Sequence, residues 1–362
     1  VKVKRAVLFV AILVVLGGGA PARAVSLAEE GRLGATELAR LFPGKLVALK
    51  ETSLSADGRY LLVMARDQAT RQGEWHRLVL AAKKVDRQGR TPFQAWDEVI
   101  LSPGGETALA FADYPKSLWA LDVASGQWTR GLANGNPERL ALSSLSPIGY
   151  LDGGQAFTVV DRQDAEGYVE DSLVVRLGLQ PWSLSPVASL EDLDRKAAAG
   201  LPVGSRHRLD TVCMGDDGSL VFVVNTRSPK GVLKDLLLRY RDGQVTLLDE
   251  AEGRLFPLDC RQGQVLYNKS LVADGSRQVV LAAGGSPVKV ADGQALVGAL
   301  LPGGQIGLAR VERQRTAICL GPAGAVSQVQ AFPGSFAVLF SPDGRRVALK
   351  NDREVRVLRV VP

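Results

Sequence analysis

Phe340-Ser341-Pro342-Asp343-Gly344-Arg345-Arg346-Val347-Ala348-Leu349 carries an apolar strand into a tight turn and out again as a second apolar strand. The same unit recurs along the chain, with turns ending at Gly58, Gly105, Gly154, Gly218, Gly263, Gly304 and Gly344. The spacings are 47, 49, 64, 45, 41 and 40 residues. Glycine recurs because a tight hairpin needs positive φ at a central position, which costs Gly nothing sterically. Each turn leads into a β-prone run such as Tyr60–Met64, Leu220–Val224 or Arg346–Leu349. Their unbroken apolar character suits a sheet packed on both faces.

A third strand follows most of these runs, as in Trp75–Leu80, Ser117–Leu121, Leu236–Tyr240 and Gln278–Leu281, and then a second turn such as Ser125-Gly126 or Asp242-Gly243. Four antiparallel strands every 40–50 residues is the period of a propeller blade. The fold expected is therefore all-β: a single seven-bladed β-propeller of four-stranded antiparallel blades. The 64-residue gap holds Leu190–Ala199, a helix-like stretch ending before Gly200. It reads as a short helical insertion near 190–204, a surface crossover between blades three and four. The last blade runs out of chain at Val355–Val361, so its fourth strand is expected from the N-terminus, around Thr36–Leu41. Such sharing ties the ring shut and removes an open sheet edge.

Residues 1–24 have the form of a secretory signal peptide. Lys2, Lys4 and Arg5 precede an apolar run from Ala6 to Leu16, and Ala22-Arg23-Ala24 has the small-x-small pattern of a cleavage site. The apolar run is short for a membrane span. The formal charge of +6 falls to +2 without this segment, so the basicity belongs mainly to targeting. No clustered basic face points to nucleic acid. The expected location is secreted or periplasmic in a bacterium, with no stable membrane span after cleavage and a propeller over 25–362.

Disulfides are allowed in that setting. Cys213 and Cys260 each stand just ahead of a turn in consecutive blades, on neighbouring inner strands. Two readings stay open for them: a disulfide, or two buried thiols acting as small apolar residues. Cys319 falls in an outer strand without an evident partner, and no metal-ligand spacing is present. The chain after residue 24 has two histidines. His76 lies in an outer strand, and His207 opens an inner strand near the channel mouth, which makes it the better candidate for function. No Gly-x-Ser-x-Gly elbow or phosphate-cradling loop occurs. Asp161–Asp171 carries five acids, which suit either a calcium loop or a solvated turn, the plainer reading. Asn268-Lys269-Ser270 matches a glycosylation sequon within a strand, and Trp119 and Trp128 suit cross-strand aromatic pairing around Ser125-Gly126.

The Ser-Pro-Asp-Gly-Arg-Arg-Val-Ala-Leu run at 341–349, echoed by Ser55-Ala-Asp-Gly-Arg-Tyr-Leu-Leu at 55–62, resembles the WD40-like repeat of TolB-type propellers. That resemblance implies an exported bacterial propeller used for protein–protein contact. Trp119-Ala-Leu-Asp-Val-Ala-Ser-Gly-Gln-Trp128 is similar to the hairpin of pyrroloquinoline-quinone-type propellers, a family of quinone dehydrogenases and cofactor-free assembly scaffolds. The function expected is a monomeric, non-catalytic scaffold that binds a protein or peptide and needs no cofactor or metal. The alternative is an enzyme, either a quinone- or metal-dependent oxidoreductase or a hydrolase, with its site at the channel mouth.

Overall fold

The computed structural model describes residues 25–112, 117–132, 139–142, 149–151, 155–179, 181–198, 206–228, 231–261 and 263–361. The expected leader and the turn at Gly154 lie outside them. Seven antiparallel sheets form the ring, each ordered from an inner strand through a second and third to an outer strand. Blades one to six span 45–90, 96–132, 140–189, 206–251, 253–292 and 297–333. Blade seven takes Ala337–Phe340, Arg346–Lys350 and Glu354–Val361 from the C-terminal end and Ser26–Gly34 from the N-terminal end.

Period two in the strands explains why the sheets pack as they do. In Tyr60–Asp67, Leu61 and Val63 face blade seven, while Leu62 and Met64 face blade two. In Leu220–Arg227, Phe222 and Val224 face blade three, while Val221 and Val223 face blade five. Apolar side chains from each pair of neighbouring blades collect into one buried cluster per seam. Each fully buried Leu, Val or Phe contributes about 1.5–3 kcal/mol against exposure, so the seams hold the ring.

The closing strand lies earlier in the chain than expected. Ser26–Gly34 pairs with Glu354–Val361, and Thr36–Leu41, expected in that strand, falls in a helix, α1 (Ala35–Leu41). Ala, Glu, Leu and Arg favour that helix, and Leu38 and Phe42 bury one side of it in the seven–one seam. A bulge between Glu29 and Gly31 breaks the alternation that would have marked Ser26–Gly34 as a strand. It also lets Glu30 accept from Arg346 Nε at 2.6 Å. The insertion between blades three and four is the short helix expected, α2 (Leu190–Ala198). Ser189 caps it by accepting from Asp192 N, and Leu193 and Ala197 are buried between those two blades.

Six of the seven turn glycines fall among the described residues, all at positive φ. The surrounding residues lock the turn. Ser341 Oγ donates to Asp343 Oδ1 at 2.6 Å and accepts from Arg346 N, while Arg345 N donates to the same carboxylate oxygen. Ser55 and Asp57 repeat this in blade one. In blade four the hydroxyl comes from Ser219, which donates to Asp217. The third strand of one blade then covers the next blade's turn. Arg77 donates to Gly105 O at 2.9 Å, and Arg239 donates to Gly263 O at 2.5 Å.

Gly58 and Gly344 share φ 69°, but their surroundings differ. A Cβ on Gly58 would stand 2.8 Å from Val357 Cγ1 in blade seven, whereas one on Gly344 meets nothing nearer than 3.5 Å. Gly344→Ala should cost about 1–2 kcal/mol, the strain of a left-handed backbone. Gly58→Ala should cost clearly more in urea titrations, because it also pushes into the closing seam.

Burial alone would raise the Asp343 carboxyl, but the Ser341 hydroxyl, the Arg345 amide and the Arg345 and Arg346 charges outweigh it and hold the group below the usual carboxylate range. Asp217 is lowered in the same way, its burial outweighed by the Ser219 hydroxyl and amide and by Arg241 and Arg239. A carboxyl lowered in the folded state stabilises it above the unfolded pKa, and that stability is lost as pH falls through the folded value. The Asp217→Asn, Asp343→Asn double variant should therefore be less stable than the parent at pH 7. Its urea midpoint should fall less steeply below about pH 5, so that the two curves approach each other in acid.

Candidate functional site

The antiparallel order assigns every turn to a rim. The inner-to-second and third-to-outer turns lie on one rim. The second-to-third hairpins and the crossings between blades lie on the other. That second rim carries a row of exposed apolar side chains. Tyr168 and Val169 sit at the hairpin of blade three, Val232 and Leu233 at that of blade four, Val272 at that of blade five and Val311 at that of blade six. Leu296, in the crossing from blade five to six, joins them. Val272 is 77% exposed, Tyr168 73% and Leu233 63%. Single exposed apolar residues are ordinary, but a series on consecutive loops of one face makes this rim the first candidate for an interaction surface. Sequence reasoning passed over these residues: the Asp161–Asp171 hairpin reads as a solvated turn through its acids, and the hairpins of blades four to six carry no motif. The signal was a large apolar residue at a turn position that needs none.

The central channel is the second candidate. A cavity of about 730 Å³ opens along the inner strands of blades seven, one, two and three. Exposed Glu51, Asp97 and Glu98 give it an acidic wall, with Leu54, Leu101 and Leu339 as apolar patches. Lys350 donates to the Thr52 carbonyl, and burial holds its amine below the ordinary lysine range. Tyr150 donates to Ile100 O at 2.9 Å, and burial pushes its phenol up. Among the described residues no group of His, Cys, Asp and Glu is arranged to hold a metal ion.

The histidines are not brought together. His207 is the second residue of the inner strand Arg206–Met214, paired with Thr226, and among the described residues the channel cavity is walled by other blades. His76 is buried in blade one against the Phe42 ring, with Nδ1 3.3 Å from Gln88 Oε1 and Nε2 3.2 Å from a Glu74 carboxylate oxygen. Burial lowers its pKa despite Glu74 and Gln88. His76 is therefore part of a packed seam.

Other motifs resolve into structure. Asp164 closes the acidic hairpin by accepting from Glu166 N and Tyr168 N, and Asp161 and Asp171 accept from Ser172 and Ser189. Trp119 and Trp128 are not cross-strand partners: their register partners are Arg130 and Leu121. Phe93 joins them instead, its ring centroid 5.8 Å from one and 5.0 Å from the other. Cys213 and Cys260 do face each other across the four–five seam, both as free thiols. Cys319 is buried in the five–six seam.

Neither a protein-family model nor a curated protein matches the chain. Among solved structures, the propeller domain of the trilobed protease from Pyrococcus furiosus aligns with 88% of this chain and 98% of its own, at TM-score 0.55 and 10% identity. Its topology is described as open velcro, whereas here Ser26–Gly34 closes the ring. The acylaminoacyl peptidase of Pyrococcus horikoshii gives TM-score 0.56 and 11% identity, with 88% of this chain covered. This chain spans 52% of that peptidase. An oligogalacturonate lyase in complex with manganese gives TM-score 0.53 and 12% identity, with 89% and 92% of the two chains covered. At such identities the likeness establishes the propeller fold.

The sequon is closed by its surroundings. Asn268 Nδ2 donates to Ala295 O at 2.7 Å, and Asn268 Oδ1 accepts from Ala295 N at 3.0 Å, in a buried position. Asn268→Ala should lose about 3 kcal/mol of stability by urea denaturation, since two buried backbone groups lose partners at about 1–3 kcal/mol each.

Proposed function

We propose that this protein is an exported, non-catalytic scaffold of the TolB-type propeller kind, binding a protein or peptide partner across the rim of second-to-third hairpins. The row of apolar tips from blade three to blade six carries this reading. The seam clusters hold each loop base rigidly, so the tips form a preorganised surface, and binding groups concentrate on such loops. The expectation of secretion rests on residues 1–24. No described helix is long and apolar enough to cross a membrane.

The channel cavity favours a second reading, an enzyme acting there, in line with the peptidases and lyases among the structural neighbours. Its chemistry is poorer. The wall carries carboxylates, which would repel a polyanion such as the oligogalacturonate of that lyase's name.

The two readings separate experimentally. Val232→Asp, Leu233→Asp and Val272→Asp together should leave the melting temperature nearly unchanged, because these side chains are solvent-exposed, yet abolish capture of a partner in crosslinking pulldowns from envelope or culture fluid. Glu51→Gln with Glu98→Gln should leave capture intact. Capture lost with the channel pair and kept with the rim triple would transfer the site to the channel.

A further inference from the structure

We infer that Cys213 and Cys260 form a disulfide in the exported protein, stapling the inner strands of blades four and five across their seam. The inference rests on the proposed export, which supplies an oxidising compartment. Three observations meet on this pair. Both residues stand at the turn-side end of an inner strand, Cys213 opposite Val221 and Cys260 opposite Val265. Both belong to the same seam cluster, with Val221 and Val265 beside them. Their side chains are already within hydrogen-bonding reach. Cys319 lies in a different seam, in the third strand of blade six, so the pairing is unambiguous.

Access dictates the order of events. Cys213 is half-buried, while Cys260 is buried. A Cys213 thiolate attacks one sulfur of an external disulfide, forming a mixed disulfide and releasing one thiolate, which takes up a proton. The Cys260 thiolate then attacks the Cys213 sulfur, the new bond forms, and the second external thiolate leaves and is protonated. Two protein thiols are oxidised and one external disulfide is reduced to two thiols. In the reduced pair the hydrogen bond with Cys213, and then burial, push the Cys260 thiol up; burial persists once Cys213 is held in the mixed disulfide, so the second step should quicken as pH rises.

The cross-link encloses the second, third and outer strands of blade four and most of the inner strand of blade five within one covalent loop. It sits at the end of the inner strands away from the apolar hairpin tips, so it should stiffen the ring and leave the proposed rim unchanged.

The test uses the purified chain, reduced and then incubated with oxidised glutathione. Peptide mapping should show one linked pair, Cys213 with Cys260, with Cys319 alkylated only after denaturation. Oxidation should raise the melting temperature by roughly 3–6 °C. The shift should vanish in Cys213→Ser and in Cys260→Ser and persist in Cys319→Ser. Oxidised wild-type protein that keeps its native circular dichroism but leaves both thiols open to alkylation on denaturation would overturn the inference, as would a link through Cys319. The N-terminal residue of protein recovered from cells tests export separately. A retained leader would count against export while the mapping still decided the pair.

Discussion

A sheet that is apolar on both faces has nowhere to stop. Leu61 and Leu62 are adjacent in one strand, and both are buried, one against each neighbouring blade. Every blade repeats this demand, so each needs two neighbours, and only a closed ring supplies them without leaving an exposed apolar face. The seam between blades seven and one is the test of closure. It is built from Leu33 near the start of the chain, Leu54 and Leu61 in blade one, and Val355 and Val357 near the end. The two ends of the chain also pair strand to strand, so loss of this seam would expose both faces at once.

The inner strands face a second constraint, because one edge of each has no strand beside it. An unpaired backbone group away from water is costly, and side chains from neighbouring blades meet several of these groups. Ser53 accepts from Leu101 N, Asp235 from Leu255 N and Asp259 from Leu300 N, while Tyr150 donates to Ile100 O. Each bond crosses a seam. The polar groups of the channel wall are thus largely engaged in holding blades together, and the carboxylates of Glu51, Asp97 and Glu98, exposed to solvent, give the wall its main chemical character.

Much of the architecture was legible because turns leave strong marks. Positive φ forces glycine at Gly58 or Gly344, and the Ser–Asp pair around it forms a hydrogen-bonded lock visible in sequence as Ser-x-Asp-Gly. The helix at Leu190–Ala198 was legible from its Leu spacing and helix-forming residues. The closing strand was not, because the bulge at Glu29–Gly31 shifts its alternation and leaves Leu27 and Leu33 out of phase. Trp119 and Trp128 were read as partners because they flank one turn. The register sets them diagonally, with Phe93, remote in sequence from the turn, between them. The rim escaped notice for a related reason: its residues lie in different blades and converge only through the ring.

Rim and channel differ in what the fold itself requires of them. Channel residues such as Tyr150, Ser53 and Lys350 carry hydrogen bonds that the ring needs, so their presence is explained without a ligand. The hairpin tips carry no such duty. The bends at Gly167, Gly231 and Gly275 are made by backbone and by Asp164, Ser228 and Asp274, and a polar residue at 168, 233 or 272 would serve those turns equally well. Water-facing Tyr168, Leu233 and Val272 add nothing to any seam. An apolar surface that folding does not use is what the proposed recognition at this rim rests on.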